Sequence, residues 1–374
     1  MSKATKKTEK SLCNSEQQLS LLSEEAEIKA PKQNMPQTAG ASLTWDPAAE
    51  RIETVKLFEE AQVVIEQGSV SSLPNSLPST YVAPKDHATN YAFSDKWEVG
   101  KVETITTIPT QHKTIQVRID YDEILSDGIA IENSQKLSPF DKSVHNAIVT
   151  SLKNGERSFT VQRLNRIIHG GNRNVRVSTA RQKAIIHSIE KMQRLRVFID
   201  ATRDTFPNAS PTDKHIIYES MISVRTHFIQ HGKYQVVLYE LYAVPPLLAY
   251  AEKKNQIWRV PIEALALSED NLGESEIIIR EYLLERILST DKLSSVIKME
   301  RIYERLGIQK SELSVNAYKG QTKRARYSCI SLLDDWVKRG FLEEYEMIKK
   351  GRSVIAVQLG TWHNNPLKRI NKVL

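Results

Sequence analysis

The sequence of 374 residues predicts an α+β protein in which one fold unit occurs twice behind a polar N-terminal arm. Two stretches about 140 positions apart carry the same order of parts: an amphipathic helix, a short apolar and basic helix, an arginine-rich helix and a strand hairpin. In both copies the third helix combines an apolar stripe with a dense run of cations. Such a helix can pack on its own domain with one side and present positive charge with the other.

The first helix of the first copy is predicted to begin at Ser138, a suitable N-cap. Pro139 then takes the first helical position and Asp141 the reciprocal capping role. The predicted stripe recurs every four residues and consists of Phe140, Val144, Ile148 and Leu152. Asn154-Gly155 predicts the end of this helix.

Two further helices follow in the first copy. The second is predicted to end at Gly170-Gly171 and to bury Leu164, Ile167 and Ile168. The third is predicted to begin near Ser178 and to bury Ile185, Ile189 and Met192. Its opposite side carries, at helical spacing, Arg176, Thr179, Lys183 and His187.

The second copy is predicted to begin near Ser275. Its first helix has a core face made of Ile277, Leu284, Ile287 and Leu288. A short helix ends at Gly307 and buries Met299, Ile302, Tyr303 and Leu306. The third helix is predicted to bury Tyr327, Ile330, Leu333 and Val337, and to turn outward Gln321, Arg324, Ser328 and Ser331, with Lys319, Lys323 and Arg326 alongside.

Each copy closes with a predicted hairpin. In the second copy, residues 341–345 and 353–357 alternate around Lys349-Lys350-Gly351-Arg352, which gives a wing with a basic tip. In the first copy, residues 215–229 and 233–241 predict one long hairpin around Gln230-His231-Gly232. The aromatic residues nearby are interpreted as sheet packing: Tyr218, Phe228, Tyr234, Tyr239, Tyr242 and Trp258.

Composition fits a nucleic-acid binder. The formal charge is +7 and the pI about 9.1, so the clustering of charge is more informative than its total. Between Gly170 and Arg196 the only acid is Glu190, against seven cations: Arg173, Arg176, Arg181, Lys183, Lys191, Arg194 and Arg196. A phosphate backbone is the partner that such a cluster indicates.

Several other classes are disfavoured. The only cysteines, Cys13 and Cys329, exclude a disulfide scaffold or a cysteine zinc cluster. No apolar run approaches the roughly 20 residues of a membrane span, so the expected location is cytoplasmic, without a membrane partner. No His-x-His metal site and no phosphate-binding loop occur in the sequence, and His227 and His231 lack the glutamate of a helical zinc motif. We therefore expect no enzyme activity, metal or cofactor.

Residues 1–100 are predicted to form a mostly disordered arm, with a short helix from about Pro47 to Gln67. One apolar peptide interrupts the polar sequence, Gln18-Leu19-Ser20-Leu21-Leu22. It resembles the motif by which bacterial proteins bind the DNA polymerase sliding clamp, in which Gln18 enters a polar subsite and the leucines fill a hydrophobic pocket. The peptide departs from this motif at Leu22, where the strongest versions carry phenylalanine. The alternative interpretation of the pentapeptide is a nascent amphipathic turn that does not bind the clamp.

From about Ile115 to Leu359 the chain resembles plasmid replication initiators with tandem winged-helix domains, of the TrfA-like and RepA-like type. The most characteristic piece is the helix start at residues 137–141 followed by Val144-His145-Asn146-Ala147-Ile148. The resemblance implies a first winged-helix domain over 101–250 and a second over 251–374. It also implies binding of direct repeats at an origin, recruitment of the sliding clamp and of the replicative helicase or its loader, and a homodimer formed through the first domain.

The residues predicted to contact double-stranded DNA lie on the two third helices and on the basic wing tip. Arginine can bond bidentately to guanine, and lysine neutralises phosphate. They are Arg173, Arg176, Thr179, Arg181, Gln182, Lys183, Lys319, Gln321, Thr322, Lys323, Arg324, Arg326, Lys350 and Arg352. A charged outward face is most often only a solvated face. A transcription regulator, a partition protein or a scaffold that binds only proteins therefore stay as alternatives.

Overall fold

The structure of the protein is a computed structural model that describes residues 77–94, 96–108, 113–121, 136–171, 177–206, 208–210, 212–231, 234–266, 273–289, 296–351 and 353–364. The pentapeptide at 18–22 and the helix predicted over 47–67 lie outside these residues. The architecture is mixed, with helices and antiparallel sheets in alternation, so the α+β class is confirmed.

The described part begins with elements that the sequence analysis assigned to the arm. They are β1 (Thr80–Pro84) and α1 (His87–Ala92), and they are followed by β2 (Glu103–Ile108) and β3 (Lys113–Tyr121) in the residues assigned to the first domain. Strand β1 pairs antiparallel with β9 (Ile257–Pro261), and Tyr81 and Ala83 are fully buried. Residues 80–92 thus belong to the folded body, because β1 completes a sheet with a strand about 180 positions away.

The three helices of the first repeat form where the sequence predicts them. They are α2 (Pro139–Lys153), α3 (Val161–Ile168) and α4 (Thr179–Arg194), with the short strand β4 (Ser158–Phe159) after α2. Ser138 and Asp141 make the expected capping box, and Gly170 and Gly171 follow α3 with positive φ. The predicted inward residues of α4, Ile185, Ile189 and Met192, are fully buried.

The first repeat differs from the prediction after α4. The chain first forms β5 (Leu195–Asp200), α5 (Thr202–Thr205) and β6 (Ile216–Ser220), which join the N-terminal hairpin in a sheet of order β2-β3-β5-β6. The hairpin β7 (Val224–His231) and β8 (Tyr234–Leu241) comes only then, in a sheet of order β4-β8-β7. The long hairpin predicted from His215 is therefore wrong in its first part, because β6 pairs with β5 instead of β8.

A connecting segment follows, made of α6 (Pro246–Lys253), β9 and a short 3-10 helix (Ile262–Leu265). Its carbonyl groups accept hydrogen bonds from large buried side chains of the second repeat. Arg280 Nη1 donates to Leu265 O at 2.8 Å, and Trp336 Nε1 donates to Ala264 O at 2.8 Å. The connecting segment, predicted to open the second domain, thus pairs with β1 through β9 and bonds to the second repeat through its 3-10 helix.

The second repeat contains α7 (Glu274–Ser289), β10 (Val296–Lys298), α8 (Met299–Arg305), α9 (Val315–Lys338), β11 (Tyr345–Lys350) and β12 (Ser353–Leu359). Its sheet has the order β10-β12-β11. In both repeats the strand after the first helix pairs with the last strand of the hairpin, so element order and strand order match apart from β5, α5 and β6, which are inserted in the first repeat. The duplication that the sequence predicts is present in the structure.

The rotation of α9 about its axis differs from the prediction. Its buried residues are Thr322, Ala325, Cys329, Leu332, Leu333, Asp335 and Trp336. Tyr327, predicted to be buried, is 75% exposed. It lies two positions from both Ala325 and Cys329, which places it on the side of the helix opposite these buried residues. Ser328, predicted to face outward, donates from Oγ to Glu276 Oε1 on α7 at 2.8 Å.

The first helices of the two repeats, α2 and α7, pack against each other through buried polar groups. We call these groups the seam: Tyr81, Lys142, Asn146, Glu281 and Glu285. Lys142 Nζ lies 2.9 Å from Glu285 Oε2, while Tyr81 OH donates to Glu281 Oε1 at 2.9 Å. Asn146 Nδ2 also donates to Glu281, at 3.3 Å.

Among the helices that the structure describes, none is long and apolar enough to span a membrane.

Candidate nucleic-acid interface

The outward face of α9 carries the densest set of exposed cations on a third helix. Lys319, Lys323 and Arg324 are all exposed; Lys323 lies one turn after Lys319, and Arg324 lies beside Lys323, one turn before Tyr327. Tyr327 and Ser331 continue the same face toward the C-terminal end. We call these five residues the α9 face. A face of this kind can offer point charges to phosphate and a fork of donors to a guanine edge.

Two of the residues predicted to contact DNA on α9 do not lie on this face. Thr322 is 6% exposed, and its hydroxyl bonds to the carbonyl of Tyr318 at 2.8 Å. Arg326 is half-buried and donates from Nη2 to the hydroxyl of Tyr303 on α8 at 3.4 Å. The prediction for Thr322 is therefore corrected, because the helix turns this side chain toward its own domain, whereas Arg326 lies at the edge of the α9 face and its contact with DNA stays a prediction. Gln321 is half-buried at the edge of the α9 face.

The hairpin of the second repeat has a basic tip, as the sequence predicts. Lys349 and Lys350 are exposed at the end of β11, and Gly351 makes the turn with a φ of +63°. Arg352 lies outside the described residues. The second repeat thus exposes lysines on both its third helix and its hairpin.

The outward face of α4 in the first repeat exposes fewer cations than the α9 face. Thr179, Lys183 and His187 are exposed at helical spacing, as predicted, and we call them the α4 face. The acidic Glu190 is exposed one turn further along, and Gln182 is half-buried. Arg173 and Arg176 lie outside the described residues. DNA contact by either face stays a prediction.

Arg181 does not take the outward position that the sequence analysis gave it. Its guanidinium carbon lies 5.0 Å from the ring centroid of Phe140 on α2, and the side chain is half-buried. Burial lowers the pKa of Arg181, while the carboxylates of Glu274 and Glu276 on α7 oppose that shift. This arginine packs α4 on α2 instead of presenting its whole side chain to solvent.

Exposed aromatic residues are the feature that sequence reasoning missed. Tyr239 and Trp258 are buried as predicted, but Phe228 is 73% exposed on β7, and Tyr218 and Tyr242 are also exposed. Alternation along a strand gives the same pattern for a covered and an uncovered sheet face, so no local signal separates the two cases. The neighbouring His227 bonds through Nε2 to Glu240 at 3.0 Å.

The seam fixes how the two repeats are connected. Burial alone would raise the pKa of Glu285, but the ammonium of Lys142 and the guanidinium of Arg305 hold it below its ordinary value. Lys142 Nζ also donates to Asn90 Oδ1 at 2.9 Å, which satisfies a second of its protons. Because a buried charge is costly without its partner, the seam resists separation of α2 from α7.

Comparison with known proteins gives little further identification. No protein-family model matches the chain, and no curated protein matches it. Two similar solved structures are crystal structures of domains 2 and 3 of RctB. A selenomethionine derivative has a TM-score of 0.39 and 9% identity, covering 75% of this chain and 97% of that chain. The other has a TM-score of 0.35 and 8% identity, covering 71% and 92%. At such TM-scores the likeness carries no conclusion on function.

Proposed function

We propose that this chain is a sequence-specific double-stranded DNA-binding replication initiator built from two tandem winged-helix domains. The observation that carries the proposal is the repeated unit, in which a third helix is anchored from behind and exposes cations in front. A helix of that construction fits the width of the DNA major groove, and a hairpin beside it can contact the adjoining backbone.

The covalent link between the two domains favours binding of two neighbouring sites. Once one domain is bound, the other meets the duplex at a raised effective concentration. The seam keeps α2 and α7 together, so the two faces meet the duplex from one body rather than from two independent ones. This arrangement suits direct repeats at an origin, where successive sites recur along one DNA molecule.

Selection of bound sites from random duplex DNA by the full chain tests the proposal. We expect enrichment of a direct repeat and a steep fall of affinity with salt, since each neutralised phosphate contributes a slope of about −0.9. Enrichment of a palindrome would favour the alternative, a transcription regulator or partition protein without a role in initiation. Absence of duplex binding at moderate salt would contradict both and favour a protein scaffold.

The proposed partners are the polymerase sliding clamp, through Gln18, Leu19, Leu21 and Leu22, and the replicative helicase or its loader. Substitution of Gln18 and Leu21 by alanine should abolish capture of purified sliding clamp while leaving DNA affinity unchanged. If this variant captured the clamp as well as the unaltered chain does, the pentapeptide would not be the clamp-binding site. Sedimentation of the full chain with and without DNA would show whether a homodimer forms.

A further inference from the structure

The sheet β2-β3-β5-β6 covers the protein core with one face and leaves the other face open. The inward residues of β3 and β5 are buried: Ile115, Val117, Ile119, Val197 and Ile199. The alternate residues of the same strands point to the opposite side. The strand register places Arg118, Phe198 and Tyr218 in one row across this open face, on β3, β5 and β6.

This row and Arg196 of the neighbouring row form a cluster of aromatic rings and guanidinium groups, which we call the aromatic patch: Arg118, Arg196, Phe198 and Tyr218. The ring centroids of Phe198 and Tyr218 are 6.2 Å apart in an edge-to-face arrangement. The guanidinium carbon of Arg118 lies 4.9 Å from the Phe198 centroid, and that of Arg196 lies 5.6 Å from the Tyr218 centroid. Tyr218 is 43% exposed, so the patch reaches solvent.

A groove of about 620 Å³, lined mainly by polar and charged residues, lies on the same open face, beside the aromatic patch. Gln116, Asp200 and Ile216, which form the next row of the register, line it together with the cations Arg203 and Lys214. Two carboxylates of the groove already accept backbone amides. Asp200 accepts from Thr202 N at 2.9 Å and Asp213 from Ser210 N at 2.7 Å, so each has part of its charge offset within the protein.

We propose that this open face binds single-stranded DNA. Unpaired bases have accessible faces that stack on aromatic rings and on guanidinium planes, whereas the bases of a duplex are covered by their neighbours. The aromatic patch would take the bases, and Arg203 and Lys214 in the groove would take the phosphates. The inference rests on the proposed function only for the choice of DNA, because an origin-binding protein that melts DNA generates single strands beside its duplex site.

The face is better suited to a nucleic-acid strand than to a second copy of the chain. The core of a protein interface is depleted of charged residues, but here arginines lie among the rings and two further cations line the groove. Asp120 is also engaged, since its Oδ2 lies 2.8 Å from Arg118 Nη2 and orients that guanidinium over the rings. Stacking plus cationic contacts is the combination that sequence-tolerant single-strand binders use.

Two exposed tyrosines allow a matched test on the full chain. Tyr218→Ser changes the open sheet face and Tyr327→Ser changes the α9 face, and neither side chain is buried. Binding is measured by fluorescence anisotropy at low salt with labelled oligo-dT of about 16 nucleotides, with oligo-U of the same length and with a duplex. We expect Tyr218→Ser to weaken oligo-dT binding about ten-fold, with duplex affinity unchanged. Tyr327→Ser should leave oligo-dT binding unchanged.

Four results would overturn the inference. They are equal oligo-dT affinity in Tyr218→Ser and the unaltered chain, no oligo-dT binding by the unaltered chain, tighter binding of oligo-U than of oligo-dT, or conversion of a dimer to a monomer by Tyr218→Ser in sedimentation. The last would make the face an interface between copies. Failure of the proposed function would appear separately, as the absence of duplex binding by the unaltered chain.

Discussion

The two repeats share one order of elements but differ in what they expose. The third helix of the second repeat, α9, has 24 residues, and the α9 face presents three cations. The first repeat has a shorter third helix of 16 residues, and its face carries Lys183 and His187 with Glu190 close by. Its hairpin exposes Phe228, whereas the hairpin of the second repeat exposes Lys349 and Lys350.

The additions to the first repeat explain part of this difference. It carries the extra sheet β2-β3-β5-β6, the connecting segment and half of the seam, so more of its surface is used to hold other elements. Arg181, which the sequence places on the outward face, is used to pack α4 on Phe140. Under the proposed function, the second repeat would supply most of the duplex affinity and the first repeat would add spacing and further surfaces.

Breaking the seam has the largest expected effect. Lys142→Met would leave the largely buried Glu285 with only the more distant guanidinium of Arg305, 3.9 Å away, which costs about 3 kcal/mol in the free energy of unfolding. Urea unfolding measures this loss. The matched control is Lys101→Met, which removes the exposed pair with Glu98 and should change stability by at most about 1 kcal/mol. Similar small losses in both variants would show that the seam does not join the repeats.

Acid should destabilise the first repeat, because both fully or nearly buried histidines of the described residues, His145 and His169, lie there. Burial lowers the pKa of His145 to about 4, and burial with Arg280 and Arg181 lowers that of His169 to about 3. Histidines of the unfolded chain have a pKa of about 6.5, so between about pH 4 and 6.5 the unfolded chain binds more protons than the folded chain. Stability is complete above about pH 6.5 and falls as the pH drops toward 4, by about 3 kcal/mol for His145.

Urea unfolding across this pH range measures the acid effect. His145→Leu removes the titrating ring, so the stability of this variant should fall less steeply than that of the unaltered chain between pH 6.5 and 4. The same slope in both proteins would mean that His145 is not responsible.

The cations of α9 come next in expected effect. Lys323→Glu combined with Arg324→Glu should weaken duplex binding about 100-fold and reduce the salt slope by about 2, since two phosphate or base contacts are lost. Anisotropy titrations at several salt concentrations measure both quantities. Lys96→Glu is the control, because it changes an exposed lysine away from the third helices. An equal loss of affinity in this control would show that the effect comes from the total charge of the protein and not from the position of these cations on the α9 face.

The α4 face should respond less. Lys183→Glu removes a single exposed cation, and we expect about a ten-fold loss of duplex affinity and a change of about 1 in the salt slope. The same titrations measure it. A loss larger than that of the α9 variant would reverse the inferred ranking of the two repeats.

The smallest effect is expected at Tyr327. Its ring lies on the α9 face, next to the cations, where it can contact a base edge or sugar. Tyr327→Ala should weaken binding only a few-fold but relax the preference at one base pair, which repeated site selection with the variant would reveal. An unaltered selected site would show that the ring is only solvated.

Local signals in the sequence predicted most elements of both repeats. The capping box at Ser138, the helix stops at Gly170 and Gly307, and the turn at Gly351 depend on neighbouring residues alone, and all are present. The basic hairpin tip and the exposure of Lys183 and Arg324 were predicted in the same way. These features follow from backbone conformation and helical periodicity, which a single sequence displays.

Long-range packing decided the features that were missed. The rotation of α9 depends on Trp336, whose indole bonds to a carbonyl 72 positions earlier, so the apolar stripe alone placed Tyr327 inward. Strand β1 was missed because its partner β9 is far away in the chain. Strand β6 was assigned to the hairpin because its β-branched and aromatic residues fit a strand of any sheet. Sequence periodicity shows that a face is apolar, but it does not show what covers that face.

Hydroxyl-radical footprinting of the full chain on a selected duplex shows whether both third helices contact DNA. Two third helices that read successive major grooves should protect two patches about 10 base pairs apart, one helical turn of DNA. The α9 variant should lose one patch and Lys183→Glu should weaken the other. A single patch, or two patches that respond equally to both variants, would contradict the account.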